Sequence, residues 1–112
     1  MDEKEINNIT LTYDKNTYTL YFTRATVEAM ENNGFDIREF DKKVFSNIMM
    51  LWYGAFAAQH RDTKRVTMDK IWKLIPNKEE MIKDLVTLYS MPYNDLMDEP
   101  IDDTKKINWK AN

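Results

Sequence analysis

Near the N-terminus apolar and polar residues alternate one for one. Ile9, Leu11 and Tyr13 are separated by Thr10 and Thr12, and Tyr18, Leu20 and Phe22 by Thr19 and Tyr21. A period of two in β-branched and aromatic residues predicts two strands. A turn at Lys15 and Asn16 sets Tyr13 against Tyr18, Leu11 against Leu20 and Ile9 against Phe22, so that every apolar pair falls on one face. A lone hairpin is marginal in water, and this face therefore requires helices to cover it. The expected class is α+β: an N-terminal two-stranded antiparallel β-hairpin over 9–23 packed on a bundle of about four to five helices.

Helical spacing takes over after Thr23, which is placed to cap a helix over 24–33. That helix sets Val27 and Met30 on one side, with Ala29 beside them, and ends at Gly34, the residue suited to the left-handed C′ position. Asp36 and Glu39 have the spacing of a capping box, with Phe35 and Phe40 placed as a hydrophobic staple. They open a short helical turn at Ile37 that leads into a helix from about Asp41 to His60, together spanning 37–60, in which Val44, Phe45, Ile48, Met49, Leu51, Trp52, Ala55 and Phe56 cover more than one stripe. It is expected to be central and buried. Arg61–Val66 reads as a loop, and Thr67 as the cap of a helix over 67–75 that carries Met68, Ile71, Trp72 and Ile75 and is stopped by Pro76. Asn77 with Glu80 repeats the cap pattern before a helix over 78–89, where Met81, Ile82, Leu85, Val86, Leu88 and Tyr89 keep helical spacing. Pro92 is expected to break the chain before one more turn at 93–97. Residues 1–97 then form a single domain. Residues 98–112, with Asp98, Glu99, Asp102 and Asp103, form a mobile acidic tail whose anchors are Ile107 and Trp109.

Composition narrows the function classes. A chain of 112 residues builds one core, and 43% hydrophobic with 31% charged residues is a globular mixture. Without cysteine there are no disulfides, thiolate metal sites or cysteine nucleophiles, which fits a reducing compartment. The charged opening Met1–Glu5 has no apolar stretch behind it and does not read as a secretory signal. The uncharged run Val44–Gln59 falls short of the roughly 20 apolar residues of a membrane span. A cytosolic location with no membrane partner is expected. A net charge of −3 gives no global attraction to nucleic acid.

Catalytic equipment is missing by residue type. Glycines only at 34 and 54 build neither a phosphate-cradling nor a dinucleotide loop, and the lone His60 excludes the two-histidine zinc motifs. Neither Ser46 nor Ser90 sits in a nucleophile-elbow context. Hence no catalytic, cofactor-binding or metal-ligating residue is expected. His60 reads as a helix C-terminal residue favoured by the dipole, and Glu79 and Glu80 as carboxylates stabilising a first turn. Candidate surfaces remain. The basic residues Arg61, Lys64 and Arg65 form a solvated loop, a site for an acidic protein, or a nucleic-acid contact, with no nucleic acid as the expectation. Methionine is unusually frequent at 8 residues; Met49, Met50 and Met81 read as core, whereas Met91, Tyr93 and Met97 around Pro92 form a candidate protein-binding surface. The edges of the hairpin accept a strand from a partner or a second copy, unless Ile107–Lys110 covers one.

The ordered set Tyr18–Arg24, Thr26-Val27, Met30-Glu31 and Gly34-Phe35, then Tyr53–Phe56 with His60, Ile71-Trp72, Asn77–Glu80, Leu85, Tyr89 and a tryptophan near the C-terminus resembles small siphophage and prophage tail assembly chaperones. The likeness covers the chain from about Thr10 to Met97. It implies a non-enzymatic role: binding the tape-measure protein, keeping it soluble and bringing tail-tube protein to it in the host cytosol, without retention in the mature virion. Homo-oligomers are compatible with this. A structural tail or head–tail connector component and a small nucleic-acid-binding phage regulator are the competing readings. The resemblance transfers no site residue.

Overall fold

The computed structural model describes residues 5–99 and 107–112. Strands β1 (Ile9–Tyr13) and β2 (Asn16–Leu20) form an antiparallel hairpin, followed by α1 (Arg24–Asn32), a 3₁₀ segment (Ile37–Lys43), α2 (Val44–Phe56), α3 (Arg65–Leu74) and α4 (Lys78–Met97). The α+β class with an N-terminal hairpin and a helical remainder is therefore as expected.

The hairpin register differs from the expected one. Leu11 faces Tyr18, Ile9 faces Leu20 and Tyr13 faces Asn16, a shift of two residues. An even shift keeps each side chain on its face, so Tyr18 and Leu20 are buried as the alternation requires while Ile9, Leu11 and Tyr13 are half-buried. The cause is the turn. Asp14 and Lys15 both take left-handed backbone, at φ 50° and 68°, giving the two-residue primed turn whose twist matches the strands. Asp tolerates that conformation better than Lys. Lys15→Gly is accordingly expected to raise stability by about 0.5–1 kcal/mol, read as a higher urea midpoint at unchanged m-value. An unchanged or lower midpoint would contradict the turn geometry.

α1 is closed at both ends as its sequence predicts. Thr23 and Thr26 cap each other's backbone N–H groups at 3.1 Å. At the other end Gly34 has φ 97°, and the N–H groups of Gly34 and Phe35 return to the carbonyls of Glu31 and Met30 at 2.9 and 3.0 Å. This turn folds Phe35 back into the core, where it is 2% exposed. Gly54 has a packing role. A Cβ there would lie 2.5 Å from Met30 Sδ, so the end of the Met30 side chain fills the space that glycine leaves and would have to move for any larger residue.

The span 37–60 divides into a short turn and a longer helix as expected, but the break falls at Lys43 instead of near Asp41 and the helix ends at Phe56. Glu39 and Lys43 leave helical backbone, and the buried Asn47 amide donates to the carbonyls of Phe40 and Glu39 at 3.0 and 3.3 Å, replacing helical donors. Glu39 pairs with Lys42 rather than closing a capping box; Asp36 alone caps, accepting from the Arg38 N–H. α2 is buried through Leu51, Trp52, Ala55 and Phe56, but its first turn is not: Phe45 is 82% exposed and Val44 also faces solvent. α3 starts two residues before Thr67, because the Lys64 carbonyl already accepts from the N–H groups of Thr67 and Met68. Asn77 adopts left-handed backbone and makes no side-chain cap.

The largest correction concerns Pro92. α4 continues through it to Met97 as one 20-residue helix. Proline deletes the N–H that would reach Leu88, but Leu85, Leu88 and Tyr89, all buried just before it, hold the backbone in place. Of the expected tail, residues 100–106, with Asp102 and Asp103, lie outside the described residues, as does the opening Met1–Lys4. Ile107 and Trp109 do not anchor it, being 81% and 83% exposed.

Candidate interaction groove

An open groove enclosing about 1030 Å³ runs between α1, the 3₁₀ segment and the second half of α4. Its floor is Phe35, delivered by the Gly34 turn, and Tyr89 from α4. Val27, Ile37, Pro92, Tyr93 and Leu96 line its sides. The α4 wall exists because the helix passes Pro92: Tyr89, Tyr93 and Leu96 follow one another at helical spacing, and Tyr93 and Leu96 stand 62% and 56% exposed.

Tyr89 is the one chemically distinctive group. Its ring is held edge-on by Phe22 and Phe35 at centroid distances of 5.3 and 5.1 Å, yet its buried hydroxyl has no hydrogen-bond partner among the described residues. An unpartnered buried hydroxyl costs free energy until something accepts from it. Burial, with smaller contributions from Glu31 and Asp36, pushes the phenol up to about 12, so it is a neutral donor at physiological pH. On the rim, Arg38 grips Asp36 through Nε and Nη2 at 3.1 and 3.0 Å, and this hydrogen bonding holds the Asp36 carboxyl below its ordinary value. Arg24 pairs with Glu28 at 3.1 Å. Glu31 has no ion pair among the described residues. The groove thus has apolar sides over a floor that seals the Tyr89 hydroxyl from solvent, with Glu31 outside any ion pair among the described residues.

The expected surface residues are not brought together. Tyr93 lines the groove; Met91 is half-buried against the core, and Met97, 63% exposed, ends α4 beyond the groove lining. Arg61 and Lys64 line a separate, shallow polar depression between the hairpin and α3. Arg65 is occupied, its guanidinium 4.6 Å from the centre of the Tyr53 ring, whose hydroxyl donates to Asp69 at 2.5 Å. His60 lies beyond the end of α2 instead of in its last turn, and its Nε2 accepts from the Thr19 N–H at 2.9 Å. Phe35, Tyr89 and Leu96 were missed as site residues. For Tyr89 and Leu96 the signal was the continued i, i+4, i+7 row across Pro92.

The model of family DUF5055, described as a domain of unknown function, matches residues 3–112. The chain belongs to the DUF5055 family. No curated protein and no solved structure matches it. In this DUF5055 chain the groove holds no nucleophile–base pair: Ser90 Oγ donates to the Val86 carbonyl at 3.0 Å, and the sole histidine is bound at the hairpin. Among the described residues no group of His, Cys, Asp or Glu is arranged to hold a metal ion, and no helix is long and apolar enough to cross a membrane. The exposed lining is mainly apolar along α4 and charged along its α1 and 3₁₀ rim.

Proposed function

We propose that this domain is a non-enzymatic assembly factor that holds an apolar helical stripe of a larger protein in the α1–α4 groove. The observation that carries this reading is that exposed Tyr93 and Leu96 stand in one open trough over the buried rings of Phe35 and Tyr89. From Tyr89 to Leu96 the α4 wall is about 10 Å long at 1.5 Å per residue, enough for roughly two turns of a partner helix docked through its i, i+3, i+4 and i+7 residues. A site of that size binds modestly, and many copies along one long partner gain by avidity.

The resemblance to siphophage tail assembly chaperones supplies the partner: the tape-measure protein, with tail-tube protein as the second. The setting is the host cytosol, and the mature virion lacks the domain. Co-expression with both proteins from the same genome tests this. The expected result is a soluble complex with the tape-measure protein and no domain in purified virions. Unchanged tape-measure solubility with no complex, or stoichiometric presence in virions, would count against it.

A further inference from the structure

The two edges of the hairpin are treated differently by the fold. In an antiparallel pair only alternate residues aim their N–H and C=O groups at the partner strand. With a two-residue turn, Tyr13/Asn16, Leu11/Tyr18 and Ile9/Leu20 are the bonded pairs. Thr17, Thr19 and the following Tyr21 then face outward from β2, and Thr10 and Thr12 face outward from β1. The β2 edge is closed from Thr19 onward. Thr19 N–H donates to His60 Nε2 at 2.9 Å, and Tyr21 N–H to the Ala55 carbonyl at 3.3 Å. Among the described residues no third strand and no main-chain bond reaches the outward groups of Thr10 and Thr12. Nor does β1 carry the usual protections, since Ile9–Tyr13 contains no charge, proline or glycine. Its inward row stops half-buried, because the hairpin packs on α2 through β2, by way of Tyr18 and Phe56.

We propose that β1 pairs antiparallel with β1 of a second copy of this chain, joining two hairpins into a four-stranded sheet. The strand is self-complementary about Leu11. A two-fold axis there sets Thr10 against Thr12 of the second copy, so that each outward pair exchanges two main-chain hydrogen bonds, four in all for the two symmetric pairs. Leu11 meets its own counterpart at the closer, non-bonded spacing, and Ile9 meets Tyr13, which extends the half-buried apolar row across the junction. Asn8 falls opposite Asp14, an amide against a carboxylate, and no like charges are opposed. The proposal goes beyond the groove reading, since no β1 residue lines the groove.

The register makes a sharp test by sedimentation velocity of the full chain up to millimolar concentration. The side chains of Thr10 and Thr12 are exposed, so charges there are tolerated by the monomer, whose fold circular dichroism checks. In the T10D/T12D variant each aspartate opposes another across the junction, and dimerisation is expected to weaken by about ten-fold or more. In T10D/T12K each aspartate opposes a lysine, and dimerisation is expected to stay within about three-fold of wild type. Deleting 107–112 is expected to change nothing. A wild-type chain that is monomeric at millimolar concentration would overturn the proposal, as would equal dimerisation of the two charge variants or a dimer that requires 107–112. Leu96→Asp, which damages the groove alone, is expected to leave dimerisation intact.

Discussion

Replacing Trp52 with alanine is expected to remove about 3–5 kcal/mol, which leaves at most about 2 kcal/mol, and up to about half of the population unfolded, if the domain sits at the low end of the usual 5–15 kcal/mol range. Trp52 is fully buried at the centre of the helical layer. Its indole N–H donates to the Met68 carbonyl at 2.9 Å, tying α2 to α3. Its ring meets Phe56 edge-on and Trp72 at a tilt, both with centroids 5.0 Å away. Alanine leaves a large cavity and takes away the Met68 carbonyl's indole donor, whereas Trp52→Phe keeps much of the volume and is expected to lose about 2 kcal/mol less. Near-ultraviolet circular dichroism and the urea midpoint distinguish these outcomes. An alanine variant with an unchanged midpoint would show that α2 is not the centre of the core.

Tyr89→Phe is expected to move stability and binding in opposite directions. In the free domain the substitution deletes a buried hydroxyl with no partner, so stability rises by about 1 kcal/mol. On the proposed docking, a segment that opens the groove and uncovers this hydroxyl gives it an acceptor, so its deletion is expected to lower affinity about ten-fold. A residue that merely filled the core would not separate the two effects. The alkaline limb gives an independent reading. Folding raises the Tyr89 phenol from the usual value near 10 to about 12. The unfolded chain therefore loses this proton first, and stability present below pH 10 is lost as the pH climbs from about 10 to about 12. Urea midpoints across that range should fall less steeply for Tyr89→Phe. Some slope persists, since burial and the bond to Asp69 also raise Tyr53.

Local chemistry that a short stretch decides by itself was legible in the sequence. Thr23 and Gly34 bound α1 as their types require, and the alternation of Ile9–Tyr13 and Tyr18–Leu20 fixed which face is buried even though the register moved by two. What was not legible depends on partners distant along the chain. A primed turn at Asp14-Lys15 lacks the glycine that usually announces one. The break between the 3₁₀ segment and α2 rests on where the Asn47 amide finds carbonyls. The passage of α4 through Pro92 rests on three residues buried immediately before it. The groove followed from that passage. Its floor joins Phe35 and Tyr89, which periodicity within either segment could not bring together. His60 shows the same limit: a helix-end residue by pattern, it serves as the acceptor for a strand's edge.

The most direct test of the central claim is a calorimetric titration of the tape-measure protein's apolar helical region into the wild-type domain and into Leu96→Asp. Leu96 is 56% exposed and lines only the groove, so the variant should fold with an unchanged urea midpoint. Saturable binding by wild type and none by Leu96→Asp is the predicted result; equal binding by both, or none by either, would contradict it.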